Sequence, residues 1–132
     1  MKTSSSAIRV LEFAFTGYPV TDVARARAFY EGVLGLKTGQ VWEDENHSWI
    51  EYDLGGHTLA ITNGSDQWKP SSDGPAIALE VEDFDAAVAA FKKQGVDFTV
   101  EPIATPMCHL TVIKDPDGNS IAIHKRKAKP DA

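Results

Sequence analysis

Apolar and polar residues alternate in two segments of the chain, one near the start of each half, and such alternation is typical of a half-buried β-strand. These segments are VLEFAFT, residues 10–16, and AIALEV, residues 76–81. Each is followed by a segment whose apolar residues recur every three or four positions, the spacing of one helix face. The stripes are Val23, Ala26, Tyr30 and Val33 in the first half and Phe84, Ala87, Val88 and Phe91 in the second.

Residues that favour helix ends flank both helical segments. Thr21 or Asp22 is a candidate N-cap of the first helix and Asp83 of the second, and Gly35 and Gly95 suit the C-terminal ends, where a positive φ is common. Three shorter strands are predicted after each helix, near 38–44, 47–54 and 57–63 and then near 97–102, 108–115 and 119–125. The chain is therefore predicted to be α+β, with the order βαβββ occurring twice.

A match between the two halves indicates that this order comes from an internal duplication. Residues 115–123, DPDGNSIAI, share four of nine positions with residues 53–61, DLGGHTLAI, at an offset of 62. Residues 79–91, LEVEDFDAAVAAF, match residues 18–30, YPVTDVARARAFY, at an offset of 61. A difference of one between the offsets requires one inserted residue in a loop.

The length and charge of the chain limit the classes of function. The 132 residues fit one domain, with a first module near 9–63, a linker near 64–74, a second module near 75–126 and a basic tail at 127–132. A net charge of -6 argues against a nucleic-acid partner, and the basic run at residues 125–129 is interpreted as a solvated tail. No membrane partner is expected, and the single cysteine, Cys108, is interpreted as a structural thiol of a cytoplasmic protein.

A paired βαβββ module in which FYEGVLGL closes the first helix and DPDGN precedes the last strand resembles the vicinal oxygen chelate superfamily. This group contains glyoxalase I, extradiol dioxygenases, and fosfomycin- and bleomycin-resistance proteins. The resemblance covers about residues 9–126. It implies two tandem modules that form a curved, eight-stranded mixed sheet with helices on the convex side, and a homodimer, since single-domain relatives usually assemble in that way.

The resemblance also identifies four positions at which metal-dependent members hold their metal. In this sequence these positions are Phe15, Ala60, Ala76 and Ala122. Divalent metals in such sites require imidazole nitrogen or carboxylate oxygen, which neither Phe nor Ala supplies. No inherited metal and no cofactor are therefore expected, as in the bleomycin-resistance type of member, which binds its ligand without one.

The resemblance then implies that a ligand binds on the concave face. Strand alternation from the four reference positions, together with the aromatic and polar residues nearby, gives the candidate set. The candidate ligand-binding residues are Phe13, Phe15, Trp49, Glu51, Thr58, Ala60, Ala76, Glu80, His109, Thr111, Ala122 and His124. Aromatic walls with nearby carboxylates favour an aromatic or cationic compound, and the predicted function is to bind, and in one version to sequester, such a small molecule without a metal.

Two other functions stay open. One is a lyase, isomerase or dioxygenase-like enzyme with a relocated metal or an acid–base site near His47, Glu51 and His109, where His47 and His109 are related at an offset of 62. His47 and Glu51 lie four residues apart, about 13 Å along a regular strand, which argues against one ion bound by both. The other is a degenerate member that acts only through protein contacts. The sequence leaves open whether any reaction is catalysed.

Overall fold

A computed structural model describes residue 9 and residues 11–128, in which the order βαβββ occurs twice. The elements of the first module are β1 (Thr16–Pro19), α1 (Val23–Arg27, continuing as a π-helical segment, Ala28–Val33), β2 (Thr38–Glu43), β3 (Ser48–Leu54) and β4 (His57–Thr62). Those of the second are β5 (Ile77–Glu80), α2 (Phe84–Lys93), β6 (Phe98–Ala104), β7 (Cys108–Lys114) and β8 (Ser120–Arg126). The predicted α+β fold with two βαβββ modules is confirmed.

The strands form two sheets of four, in the orders β1-β4-β3-β2 and β5-β8-β7-β6. In each sheet the first and last strands of the module pair in parallel, and the other neighbours are antiparallel. No ladder joins β1 to β5 in the described part of the chain, so the single eight-stranded sheet that was predicted is instead two sheets. No helix within the described residues is long and apolar enough to cross a membrane.

Both helices begin where the sequence predicts. Asp22 Oδ1 accepts a hydrogen bond from the Arg25 N–H at 3.0 Å, and Asp83 Oδ1 accepts one from the Ala86 N–H at 3.0 Å. These carboxylates satisfy amides that have no partner inside the helix. The predicted glycine after the second helix, Gly95, has a φ of 74°, which suits a helix end.

The core lies between the helices and one face of each sheet. Leu59 and Ile61 of β4 and Ile121 and Ile123 of β8 are fully buried on this face, as the alternation predicts. Burying a side chain of this size stabilises the fold by about 1.5–3 kcal/mol. The opposite face of each sheet, turned away from the helices, is called the distal face below and corresponds to the predicted concave face.

The first strand lies later in the chain than predicted. The prediction placed it at residues 10–16, of which Val10 lies outside the described residues, whereas β1 is Thr16–Pro19. β1 runs parallel to β4, and its pairing begins with Thr16 opposite Leu59. Because β4 itself begins at His57, residues before position 14 have no β4 backbone beside them. Leu11 and Phe13 are accordingly 80% and 92% exposed.

The inserted residue of the second module lies in the β7–β8 turn. β3 and β4 are joined by Gly55–Gly56, whereas Asp115 and Asn119 close a turn with three residues between them, 116–118. Glu51 lies opposite Ala60 in the first sheet, and Val112 lies opposite Ala122 in the second. The offset is therefore 61 before the turn and 62 after it, so Asp115 corresponds to Leu54 and not to Asp53.

The basic run at residues 125–129 is only partly outside the sheet. Lys125 and Arg126 belong to β8, and residues 129–132 of the tail lie outside the described residues.

Candidate functional site

A cavity of about 900 Å³ lies where the two modules meet. Its walls come from the end of α1, the β3–β4 turn, β5, one face of α2 and the segment before β1, and most are apolar. Four predicted ligand-binding residues line it, Phe13, Phe15, Thr58 and Glu80. Its volume is within the usual range for pockets that bind small molecules, about 300–1,000 Å³. It is about twice as large as the pocket of about 430 Å³ on the first sheet.

Sequence reasoning missed most of the apolar wall of this cavity. The missed residues include Val33, Leu34, Leu36, Leu54, Leu79, Ala87, Ala90 and Phe91. All but Ala90 are apolar side chains in the core or packed against it, so nothing in the periodicity distinguishes a residue that borders a cavity from one that packs.

The corresponding place in the other half of the repeat is closed by hydrogen bonds. Tyr30 Oη of the first helix donates to Asp115 Oδ2 at 2.7 Å, and Asn119 Nδ2 donates to the same atom at 2.9 Å. Asp115 Oδ1 accepts from the amides of Asp117 and Asn119, both at 2.9 Å. Tyr18 Oη donates to the Ser120 carbonyl at 2.7 Å and accepts from the Ile77 N–H at 2.8 Å. These hydrogen bonds of Tyr18, Tyr30, Asp115 and Asn119 together are called the polar junction.

Burial and nearby charge raise the pKa of both tyrosines in the polar junction. Tyr30 is fully buried and Asp115 is 4% exposed. Burial, followed by the nearby Asp115 carboxylate, raises the pKa of Tyr30 well above 10.0. Burial also raises the pKa of Tyr18. Both phenols therefore stay protonated and can donate at neutral pH.

The repeat explains why the place equivalent to the polar junction is a cavity. At an offset of 61, Tyr30 corresponds to Phe91 and Tyr18 to Leu79, and both replacements lack the hydroxyl. Asp115 corresponds to Leu54. Phe91, Leu79 and Leu54 all line the cavity, and this second contact between the modules is called the open junction. It has no equivalent of the tyrosine–carboxylate pair.

The distal face of the first sheet carries an aromatic cluster. The rings of Phe15 and Trp49 meet edge to face with centroids 4.9 Å apart. A Cβ at Gly17 would lie 2.6 Å from the Trp68 ring, so the absence of a side chain there makes room for that indole. Trp49 Nε1 donates to Glu51 Oε2 at 2.8 Å. A shallow pocket of about 430 Å³ beside the cluster is lined by Trp42, His47, Ser48, Trp49, Thr62 and Gly64.

The distal face of the second sheet carries a histidine–carboxylate pair. His124 Nδ1 and Glu80 Oε1 are 2.5 Å apart, and Glu80 Oε2 accepts from the Arg126 N–H at 2.7 Å. Ala78 and Ala122 lie opposite each other in the adjacent row. Ala76, just before β5, is exposed.

His109 and Thr111 lie on the helix-facing side of the second sheet, opposite to the predicted face. The His109 ring stacks on Phe84 of α2 with centroids 5.4 Å apart. Thr111 is fully buried, and its Oγ1 donates to the Val100 carbonyl at 2.6 Å. The assumed offset of 62 for β7 was wrong by one residue, and a shift of one residue exchanges the faces of a strand.

The acid–base cluster suggested by the sequence is not assembled. His47 precedes β3 and its Nδ1 lies 3.6 Å from Asp44 Oδ1, whereas His109 belongs to the other sheet and the other face. Glu51 bonds Trp49. Among the described residues, no three His, Cys, Asp or Glu side chains are grouped in a way that could hold a metal ion.

The sequence matches the family model of the Glyoxalase/Bleomycin resistance protein/Dioxygenase superfamily over residues 12–123. The chain belongs to this superfamily. No curated protein matches it significantly.

Solved structures of the superfamily share the fold at low sequence identity. TnmS3, an antibiotic-binding protein from a Streptomyces species, is 23% identical with a TM-score of 0.75, covering 91% of this chain and 99% of its own. A glyoxalase/bleomycin resistance protein/dioxygenase from Alicyclobacillus acidocaldarius is 21% identical with a TM-score of 0.67, covering 86% and 90%. A glyoxalase family protein from Bacillus anthracis is 19% identical with a TM-score of 0.70, covering 92% and 100%.

The superfamily's metal positions do not fit a metal in this chain. Phe15 packs against Trp49, and Ala60 is fully buried opposite Glu51. Ala76 and Ala122 offer no nitrogen, oxygen or sulfur side-chain atom. The nearest carboxylate in the first sheet, Glu51, is engaged by the Trp49 indole. Divalent metals need such donor atoms, so the inherited site cannot be formed by these residues.

Proposed function

We propose that this protein binds a small aromatic or cationic molecule in the open junction, without a metal. The observation that carries the proposal is the cavity of about 900 Å³, whose walls are mainly apolar. The phenyl rings of Phe13 and Phe15 provide surfaces for stacking. Asp53 and Glu80 add carboxylates to a mainly apolar lining and favour a positive charge on the ligand. The antibiotic-binding structural neighbour supports this class of function.

Dye binding tests the proposal directly. Thioflavin T, a flat cationic dye, is expected to gain fluorescence with the protein and to raise its melting temperature. Replacing Ala87, which lines the cavity, by Phe fills part of the volume and should weaken dye binding by about tenfold. Ala89→Phe places the same ring on an exposed position of the same helix outside the cavity and serves as the control. Equal loss in both variants, or in neither, would locate the dye elsewhere.

Metal independence has a separate test. Protein purified without added metal is expected to contain far less than one equivalent of zinc, nickel, manganese or iron, and to bind the dye equally well after treatment with a chelator. One equivalent of metal that is lost together with dye binding would contradict the proposal. Absence of stabilisation by any small molecule would favour a role through protein contacts instead.

We further propose a homodimer that uses the distal faces. Trp42 of the first sheet and Ile103 of the second are 59% and 47% exposed, and both belong to distal-face rows. Large exposed apolar side chains of this kind are common at protein interfaces. Light scattering after gel filtration should give twice the monomer mass, and Ile103→Glu should reduce it. Val41→Glu, on the helix-facing side, is the matched control. A monomeric parent protein would exclude the dimer.

A further inference from the structure

Glu80 and His124 face each other directly across the parallel ladder between β5 and β8. His124 Nδ1 lies 2.5 Å from Glu80 Oε1, and the second carboxylate oxygen accepts the Arg126 N–H at 2.7 Å. An ionised carboxylate only accepts hydrogen bonds, so Nδ1 carries the proton. In the neutral imidazole, the other ring nitrogen, Nε2, then keeps a lone pair.

The carboxylate is held in place and ionised. Its hydrogen bond from the Arg126 amide, followed by that from His124, lowers the pKa of Glu80. Both oxygens are used, so the carboxylate can neither turn away nor release the imidazole without breaking a bond. The pair therefore fixes the tautomer of His124 as well as the plane of its ring.

The surroundings of His124 leave part of the ring accessible to a flat apolar group. Its side chain is 26% exposed, and in the described part of the chain Nε2 has no hydrogen-bond partner. Across β7 its neighbour is Leu110. Ala78 and Ala122 occupy the adjacent row and leave space beside the ring. An apolar ring can pack there while its polar edge meets Nε2.

We propose that Glu80 and His124 form a binding site for a phenolic or enolic hydroxyl group, from which His124 Nε2 accepts the proton. A neutral Nε2 requires a ligand with a donor, and a carboxylate ligand has none at neutral pH. In the transfer the ligand's O–H bond breaks and an Nε2–H bond forms. The ligand keeps the electron pair as a phenolate or enolate, and the imidazolium is stabilised by Glu80 through Nδ1–H. No other reactant is needed.

Three further charged or titratable side chains share this face. Arg126 and Cys108 lie opposite each other beside the pair, and Lys114 lies at the far end of β7. The guanidinium favours a phenolate and opposes an imidazolium, whereas the Glu80 carboxylate, hydrogen-bonded to Nδ1, favours the imidazolium. Glu80 and Ala78 also line the open junction, so the site borders that cavity, but it is centred on the His124 ring and stands whether or not a ligand binds in the cavity.

The tautomer is the first test. Long-range ¹H–¹⁵N spectra of the histidine rings at neutral pH should show His124 with the proton on Nδ1 and an unprotonated Nε2. The Glu80→Gln variant should lose this fixed preference. A proton on Nε2 in the parent protein would overturn the proposal.

The second test uses 4-nitrophenol, whose absorption moves into the visible range when it loses its proton. The protein should shift the His124 ring signals and increase the phenolate band, and His124→Gln should reduce that increase by about tenfold. Glu80→Gln should keep phenol binding but reduce the phenolate fraction, a split that a purely structural role would not produce. His109→Gln, on the helix-facing side, should behave as the parent does. A parent-like response in His124→Gln would overturn the proposal.

Discussion

The polar junction and the open junction occupy equivalent places in the repeat, yet their chemistry is opposite. In the polar junction, Asp115 accepts four hydrogen bonds, one of them from the buried Tyr30. In the open junction, Phe91 and Leu54 occupy the places of Tyr30 and Asp115 and border a cavity of about 900 Å³. Two tyrosine hydroxyls and one carboxylate thus join the modules by hydrogen bonds at one junction, whereas their apolar counterparts border a space at the other.

The difference follows from the cost of burying polar groups. A buried carboxylate is tolerated only when donors satisfy its oxygens, and the β7–β8 turn supplies two backbone amides for that purpose. The shorter Gly55–Gly56 turn follows Leu54, which has no acceptor to satisfy. Apolar walls without such bonds need only pack, and they can leave a space that an apolar ligand can fill.

The largest effect is expected when the carboxylate of the polar junction is removed. Asp115→Ala leaves the Tyr30 hydroxyl and three other donors without their acceptor, and should lower the free energy of unfolding by about 3 kcal/mol or more. Urea denaturation measures this. Asp53 is the aspartate that aligns with Asp115 in the sequence match, and its side chain is exposed. Asp53→Ala should therefore change the free energy of unfolding by less than about 0.5 kcal/mol. Similar losses in both variants would break the comparison.

A smaller loss is expected when only the hydroxyl of Tyr30 is removed. Tyr30→Phe converts this position into its counterpart Phe91, while Asp115 keeps its other three donors. The free energy of unfolding should fall by about 1.5 kcal/mol, the usual range for a hydrogen bond to a charged group. A variant as stable as the parent in urea would mean that the hydroxyl contributes nothing to the junction.

High pH should reveal the same tyrosine through the slope of stability. The pKa of Tyr30 is raised above 10.0 in the folded protein, whereas in the unfolded chain it titrates near that value. Stability is therefore fully present below about pH 10 and is lost as the pH rises further, because only the unfolded state releases the proton. One such tyrosine contributes about 1.4 kcal/mol per pH unit. Tyr30→Phe should flatten the slope between about pH 10 and 11; an unchanged slope would contradict this.

The smallest effect is expected in the open junction. Phe91→Tyr adds a hydroxyl at the edge of existing space, so the free energy of unfolding should change by less than about 0.5 kcal/mol. Thermal and urea denaturation give the comparison with Tyr30→Phe. A loss above about 2 kcal/mol would show that the ring edge of Phe91 is tightly packed and would remove the contrast between the junctions.

The fold could be predicted because its determinants are local. Alternation identified the faces of β4 and β8, and Asp22 and Asp83 marked the helix starts, since capping depends only on residues within one turn. The first strand was misplaced for a reason that is not local. VLEFAFT has a strand pattern, but pairing stops where β4 stops, and the sequence of one strand does not report the length of its neighbour.

The site was harder to predict because it depends on a count of one residue. Residues 53 and 115 are both aspartate, and this identity concealed the insertion inside the turn that follows. His109 and Thr111 were consequently assigned to the wrong face, and Leu54 was not recognised as the counterpart of Asp115. The cavity itself arises from five segments of two modules, and no periodicity within one module reports the distance between modules.

The three-residue turn at 116–118 has one more consequence. The turn supplies amides that bond Asp115, so the hydrogen bonds between the two modules are concentrated at the polar junction. The open junction therefore does not need to supply such bonds. Side chains such as Val33, Ala87 and Ala90 can therefore change in size, and with them the shape of the cavity, without removing a hydrogen bond from the polar junction. In this duplicated fold, the polar junction holds the two modules together, and the open junction is free to vary in shape.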